Sequence, residues 1–299
     1  MQLRLQTLEH QQRALTAITR VFHGVDLDSG GLMEANPSFD PADSQLAHNI
    51  SELQNGAVEG VPAIPRAWRG QVDDGVLGID VKMETGTGKT LVYTQMMYEL
   101  NRLYGFTKFI IVVPSTAIKL GTRSFITSDY ARNYFDDTYG GDIKLDLDVL
   151  DPQKRSKGRK FFPSAVANFV SGSRLTKGRV DALLMTDGML RSTATMGAIY
   201  DQTVLGMSSQ PYEALAATRP VVIIDEPHRF RRENKAYRTI IDQIQPQAVV
   251  RFGATFPKSV KTSRIDYNNL VFNLGAVEAF NEQLVKGVAV QYPEDDGQD

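Results

Sequence analysis

Cysteine is missing from all 299 residues of this chain. That excludes a disulfide framework, a Cys-ligated zinc and a thiol nucleophile, and it suits a reducing cytoplasm. Long apolar runs are missing too: nothing approaches the roughly 18 residues of a membrane span, and Met1-Gln2-Leu3-Arg4 opens no secretory signal. A surplus of one charge is the third absence. Lys plus Arg number 33 against 35 Asp plus Glu, so any contact with a polyanion must use local patches rather than a global field. Tryptophan occurs once, at Trp68. What is present, 42% hydrophobic and 23% charged residues, describes a soluble globular chain expected in the cytoplasm, long enough for one large domain or two small ones.

Residues 5–22 place Leu8, Leu15, Ile18 and Phe22 on one helical face. From Gly24 to about Gly75 that pattern breaks. Gly, Pro, Asn and Asp recur, a short helix fits around Gln45 to Leu53, and the length indicates an insertion with structure of its own. Trp68 in this stretch reads as packing the insertion onto the core. Beyond it strand and helix alternate. LGIDVKM (77–83), FIIVVP (109–114), DALLMT (181–186), PVVIID (220–225) and AVVRFGAT (248–255) are near-continuous apolar runs, as in a parallel sheet covered on both faces. Helices are predicted over Lys89–Tyr104, with Val92, Met96, Leu100 and Leu103 in register and Gly105 as C-cap, and over Asn234–Gln245, with Tyr237, Ile240, Ile241 and Ile244. Residues 129–180 read as polar and loop-rich. The order predicts an α/β doubly wound sheet.

The chemistry sits at strand ends, where open parallel sheets bind ligands. The stretch from Val76 to Thr90 runs a buried strand into a glycine turn ending Gly88-Lys89-Thr90. Such a turn points successive backbone N–H groups, here from Thr85, Gly86, Thr87 and Gly88, into one concavity at a helix N-terminus, which suits phosphate. Lys89 is placed to reach the β- and γ-phosphates and the Thr90 hydroxyl to ligate Mg²⁺. The strict pattern wants glycine at residue 83, where this chain has Met83. A bare Gly-Lys-Ser/Thr arises by chance in about one chain in seven of this length, so the surroundings decide. After the strand 221–224 come Asp225-Glu226-Pro227-His228. Beside a triphosphate, Asp225 can hold Mg²⁺ and Glu226 can deprotonate the attacking water; alone, the pair is a polar turn. Gly253-Ala254-Thr255 leaves the next strand, with Thr255 either hydrogen-bonding the 225–226 turn or simply capping a tight turn.

METGTGKT (83–90), DEPH (225–228) and GATF (253–256), in that order, resemble the first RecA-like domain of superfamily-two helicases and translocases, and most closely the Res subunit of type III restriction enzymes, which also has Met in place of the first glycine. The match covers most of the chain. LEHQQRALTAI (8–18) is similar to the adenine-reading glutamine motif, with Gln11 as the reader and Gln12 beside it. VVPSTAIK (112–119) is similar to the motif whose Ser115, Thr116 and Lys119 would contact one nucleic-acid strand, and LLMTDGML (183–190), more loosely, to a later strand-gripping motif containing Thr186. The resemblance implies a three-layer α/β RecA-like P-loop domain over 1–275, with a mostly parallel sheet and an insertion at about 24–75, then a connector over 276–299 toward a second motor domain. It implies ATP and Mg²⁺ as cofactors, with Lys89, Asp225 and Glu226 catalytic and His228 relaying between ATP and DNA. The implied partners are double-stranded DNA, a modification (methyltransferase) subunit and a second RecA-like domain. The second domain's Gln-x-x-Gly-Arg-x-x-Arg motif and an Asp…Glu-x-Lys nuclease core are not found. Two readings follow: the ATP-hydrolysing half of a DNA translocase, or a split module that binds nucleotide or DNA and needs a second chain for turnover. An ABC transporter or a kinase is disfavoured, since Leu-Ser-Gly-Gly-Gln is lacking and DEPH with GATF is no kinase pattern. The basic runs KRSKGRK (154–160) and RFRREN (229–234) read first as a solvated loop and a helix-start cover. If either binds DNA, affinity must fall steeply with salt.

Overall fold

A computed structural model describes residues 5–71, 75–152, 161–206, 208–260 and 263–284. Seven strands, β1 (Leu77–Met83), β2 (Lys108–Val113), β3 (Lys144–Val149), β4 (Arg179–Thr186), β5 (Val221–Asp225), β6 (Ala248–Gly253) and β7 (Leu270–Leu274), form one sheet in the order β3-β4-β2-β5-β6-β1-β7. Every pairing is parallel, so all strand carboxyl ends open on one side.

Strand residues feed two cores in alternation. Phe109, Ile111, Val113, Val221, Ile223, Val250 and Phe252 face one apolar cluster. That layer holds α1 (Glu9–Val21), α2 (Ser44–Asn55), α3 (Lys89–Tyr104), α4 (Thr116–Ile126) and α5 (Asp129–Tyr139). Ile110, Val112, Leu183, Met185, Val222, Ile224 and Val249 face the other. Its helices are α6 (Ser164–Ser171), α7 (Asp187–Leu190), α8 (Pro211–Ala217) and α9 (Lys235–Thr239), which widens into a π turn at Ile240–Ile244. A last helix, α10 (Ala276–Asn281), follows β7. Continuous apolar strands thus arise because both faces are covered, and the three-layer α/β architecture follows.

The insertion is structured, as its length predicts. Asp43 caps α2 through its carboxylate on the Gln45 N–H at 2.8 Å, and Gly56 ends that helix in the left-handed region. Asn36 then staples the insertion to the sheet edge opposite the strand carboxyl ends. Its Oδ1 accepts from the Thr107 and Lys108 N–H groups at 2.7 and 2.8 Å, and its Nδ2 donates to the Lys108 and Arg219 carbonyls. Trp68 packs on Tyr267 in a small third cluster with Ile64, Phe256 and Leu270, and Lys82 Nζ lies over its ring.

Several expectations need correction. Residues 129–180 are not mainly loop, for they contain α5, β3, α6 and the start of β4. Strand β7 had no counterpart in the sequence reading. The helix expected over 234–245 is α-helical only to Thr239. Leu8 and Leu103, placed on apolar faces, are 47% and 45% exposed. The basic run at 154–160 lies outside the described residues.

Candidate active site

Strand β1 ends at Met83, whose side chain is fully buried in the larger core. The position is still strand, so it has no need of glycine's freedom. The turn proper comes after it, with Gly86 at φ +84° and Gly88 at φ +90°. Gly88 is doubly constrained: beyond its left-handed φ, an added Cβ would stand 2.2 Å from Gln11 Nε2. The loop is braced by Thr87 Oγ1 donating to the Glu84 carbonyl at 2.7 Å. From outside, His10 Nε2 and Gln11 Nε2 both reach the Thr87 carbonyl, at 2.8 and 3.0 Å. Gln11 Oε1 accepts from the Leu8 N–H at 2.9 Å, so in this structure the amide expected to read a base secures the start of α1 and the loop. Anionic groups already occupy two of the donors here: Glu84 Oε1 takes the Thr85 N–H at 3.0 Å, and Glu226 Oε1 sits 3.2 Å from Lys89 Nζ.

Lys89 opens α3 and is buried, so its ammonium faces the end of β5 rather than solvent. There Asp225 is the last strand residue and is also buried. Its Oδ1 has no hydrogen-bond partner among the described residues. Burial raises the Asp225 carboxyl to about 6, against the opposing pull of Lys89 and with a further push from Glu226. An unpartnered buried carboxylate oxygen next to a phosphate loop is an acceptor suited to a cation; Thr90, half-buried, is the second residue of α3.

Glu226 adopts φ 58°, ψ 62°, a left-handed conformation that a non-glycine residue holds only under strain. Its N–H donates to the Phe252 carbonyl at 3.0 Å, and its carboxylate lies between Lys89 and His228 Nδ1, the latter at 3.3 Å. Pro227 explains Gly253: an added Cβ there would meet the proline ring 2.5 Å away. The 225–228 turn and the 253–255 turn are therefore in direct contact through Pro227–Gly253 and Glu226–Phe252. Thr255 is not the link expected of it. It is exposed, and its hydroxyl makes no hydrogen bond among the described residues.

Ser115 and Thr116, just beyond β2, and Thr186, the last residue of β4, also lie at strand carboxyl ends. Ser115 caps α4 by accepting from Ile118 N–H, and Thr186 caps α7 by accepting from Met189 N–H, both at 3.3 Å; Thr116 is exposed. Lys119, implied to touch nucleic acid, is buried with its ammonium on Asp151. The end of β3 brings that carboxylate against α4 and commits the charge internally. In the 229–234 run, Arg232 pairs with Asp266 at 2.7 Å and stacks over Tyr237, while Arg229 and Arg231 stay exposed. Two residues near the loop escaped sequence reasoning. His10 is buried on the loop, and Tyr93, fully buried one turn into α3, bonds Thr122 at 3.1 Å and neighbours Thr90 and Asp225. Burial and the Asp225 charge push the Tyr93 phenol upward.

A parallel three-layer architecture with a glycine turn after β1 and adjacent carboxylates at the end of β5 defines a RecA-like P-loop domain. The family described as type III restriction enzyme, res subunit, matches residues 4–258, and the chain belongs to that family. It is 43% identical over 303 aligned positions to the StyLTI type III restriction-modification enzyme Res subunit of Salmonella typhimurium, covering 98% of this chain. It is 36% identical over 289 to the EcoPI Res subunit of Escherichia phage P1, covering 94%. It spans 28% of the length of each. Among solved structures, a nuclease-deletion mutant of the Type ISP restriction-modification enzyme LlaGI in complex with a DNA substrate mimic aligns over 69% of this chain and 18% of its own. The identity there is 14% and the TM-score 0.41.

Proposed function

We propose that this chain is the ATP-binding first motor domain of a DNA translocase of the type III restriction kind, acting on duplex DNA alongside a modification subunit. The observation that carries the reading is the meeting of Lys89, Asp225 and Glu226 beside the glycine turn after β1. In this reading the loop amides and Lys89 hold the triphosphate. The phosphate oxygens displace Glu84 from the Thr85 amide and Glu226 from Lys89, so nucleotide entry frees the Glu226 carboxylate. Glu226 then accepts a proton from water, whose oxygen bonds the γ-phosphorus as the bond to the β–γ bridging oxygen breaks, leaving ADP and phosphate. Asp225 and Thr90 fit a Mg²⁺ ion, which when bound neutralises charge developing on the phosphates. In the same reading His228, exposed and with Nδ1 3.3 Å from the Glu226 carboxylate, is the residue that would relay between nucleotide and DNA.

Ser115, Thr116 and Thr186 are the DNA-side candidates; Lys119 is withdrawn from that set. Efficient turnover in this reading needs a second RecA-like domain to close over the nucleotide with arginines, an effect of about 10³–10⁵ in related phosphoryl transfers. The isolated chain is then mainly a nucleotide-binding module. The test is Glu226→Gln in a protein carrying both motor domains. Mg·ATP affinity stays within about threefold while hydrolysis drops at least 100-fold, in the range for loss of a general base; parental hydrolysis by the variant rules the mechanism out.

A further inference from the structure

His10 sits one residue before Gln11 on the first turn of α1, and its ring is 1% exposed. Its Nε2 meets the Thr87 carbonyl at 2.8 Å, and Gln11 Nε2 meets the same oxygen at 3.0 Å. A carbonyl only accepts, so His10 carries its proton on Nε2, and both lone pairs of that oxygen are taken. The two donors come from an element 76 and 77 positions away in sequence.

Across a trans peptide the C=O and the following N–H point in opposite directions. Holding the Thr87 oxygen on α1 therefore turns the Gly88 N–H away from α1. That N–H donates to nothing among the described residues. Glycine at 88 is required by φ +90° and by the approach of Gln11, yet glycine also lets the 87–88 peptide flip at little cost. The required freedom has to be cancelled from outside the loop. Gln11 alone does so with a flexible arm that also serves Leu8; the buried imidazole is the stiffer hand.

We infer that His10 is a positioning residue of the nucleotide site: it pins the Thr87–Gly88 peptide so that the Gly88 N–H faces the phosphate tail. The inference rests on the ATP reading above and extends it to a residue that touches neither base nor phosphate. His10 thus governs recognition of the phosphates and leaves the adenine side alone.

The test compares the parent chain, His10→Phe, which fills the space without a donor, and His10→Gln, whose Nε2 can replace the imidazole Nε2. Nucleotide-free melting is recorded first, then titrations with Mg·ATP, Mg·ADP and adenosine. His10→Phe should lose about tenfold in ATP and ADP affinity, the scale of one buried hydrogen bond, with adenosine unchanged and His10→Gln within about threefold of parent. Parental ATP affinity in His10→Phe, equal losses for adenosine and ATP, or failure of Gln to restore binding overturns it. If His10→Phe melts without cooperativity, His10→Gln decides: retained ATP affinity with a native melt supports the inference and a tenfold loss refutes it. A parent chain that binds no Mg·ATP defeats the ATP reading itself. A parent that binds while His10→Phe matches it defeats the His10 inference alone.

Discussion

Burying the Asp225 carboxylate is costly to the fold. Its carboxyl titrates near 6 in the folded chain against 3.8 when solvated, so between those values the folded state binds a proton that the unfolded state releases. Stability from this group is therefore highest below about pH 4 and is lost as pH rises through 6, the reverse of a salt-bridged aspartate; the shift corresponds to about 3 kcal/mol. Asp225→Asn keeps the shape and removes the charge. In chelator at pH 7.5 it should raise stability to urea by about 1–3 kcal/mol, the gain should vanish near pH 4, and Mg·ATP binding should be lost. A destabilised Asp225→Asn at pH 7.5 means that the carboxylate has a partner there after all. The closeness of Lys89, Asp225 and Glu226 could be expected from sequence because β1 runs through a short glycine turn into Lys89 and β5 ends at Asp225 with Glu226 next. The roles of His10 and Tyr93 could not: they depend on α1 and α4 closing on the loop and on α3, a matter of packing between segments far apart in the chain.

Among the elements, β1 matters most, since it delivers the phosphate loop, and it is anchored by charge as well as by packing. Asp80 in its middle forms a bidentate pair with Arg251 of β6, at 2.7 Å for both contacts, and accepts from the Asn268 N–H. Both side chains are buried, and the carboxylate keeps Arg251 firmly protonated. Breaking such a pair strands a buried charge and costs about 3–5 kcal/mol, whereas replacing both members by apolar residues is often neutral. Asp80→Ala should therefore lower stability in urea by that amount, and Asp80→Leu with Arg251→Met should regain most of it. An unchanged midpoint for Asp80→Ala contradicts the anchor. The five strands read from sequence are the ones buried on both faces. Edge strand β3 alternates Lys, Leu, Asp, Leu, Asp and Val with one side exposed, so no continuous apolar run marked it. Strand β7 is five residues long, with no helix-length pattern before it. The π turn after α9 keeps the apolar spacing of a helix, so periodicity alone could not reveal it.

For the whole molecule, one side of the parallel sheet gathers everything chemical. The phosphate loop after β1, the carboxylates after β5, the Gly253 turn after β6 and the helix caps at Ser115 and Thr186 share the strand carboxyl ends, while the insertion is stapled through Asn36 to the opposite edge. Fold class was legible in full because strand–helix alternation and apolar runs are local signals. Lys119 differs from its expected role because nothing local reveals that Asp151, in the segment after β3, stands against it. Isothermal titration of Mg·ATP into the parent chain and into Lys89→Ala tests the proposed nucleotide site most directly. Saturable binding by the parent and none by Lys89→Ala is the predicted result; equal affinity in the two proteins would contradict it.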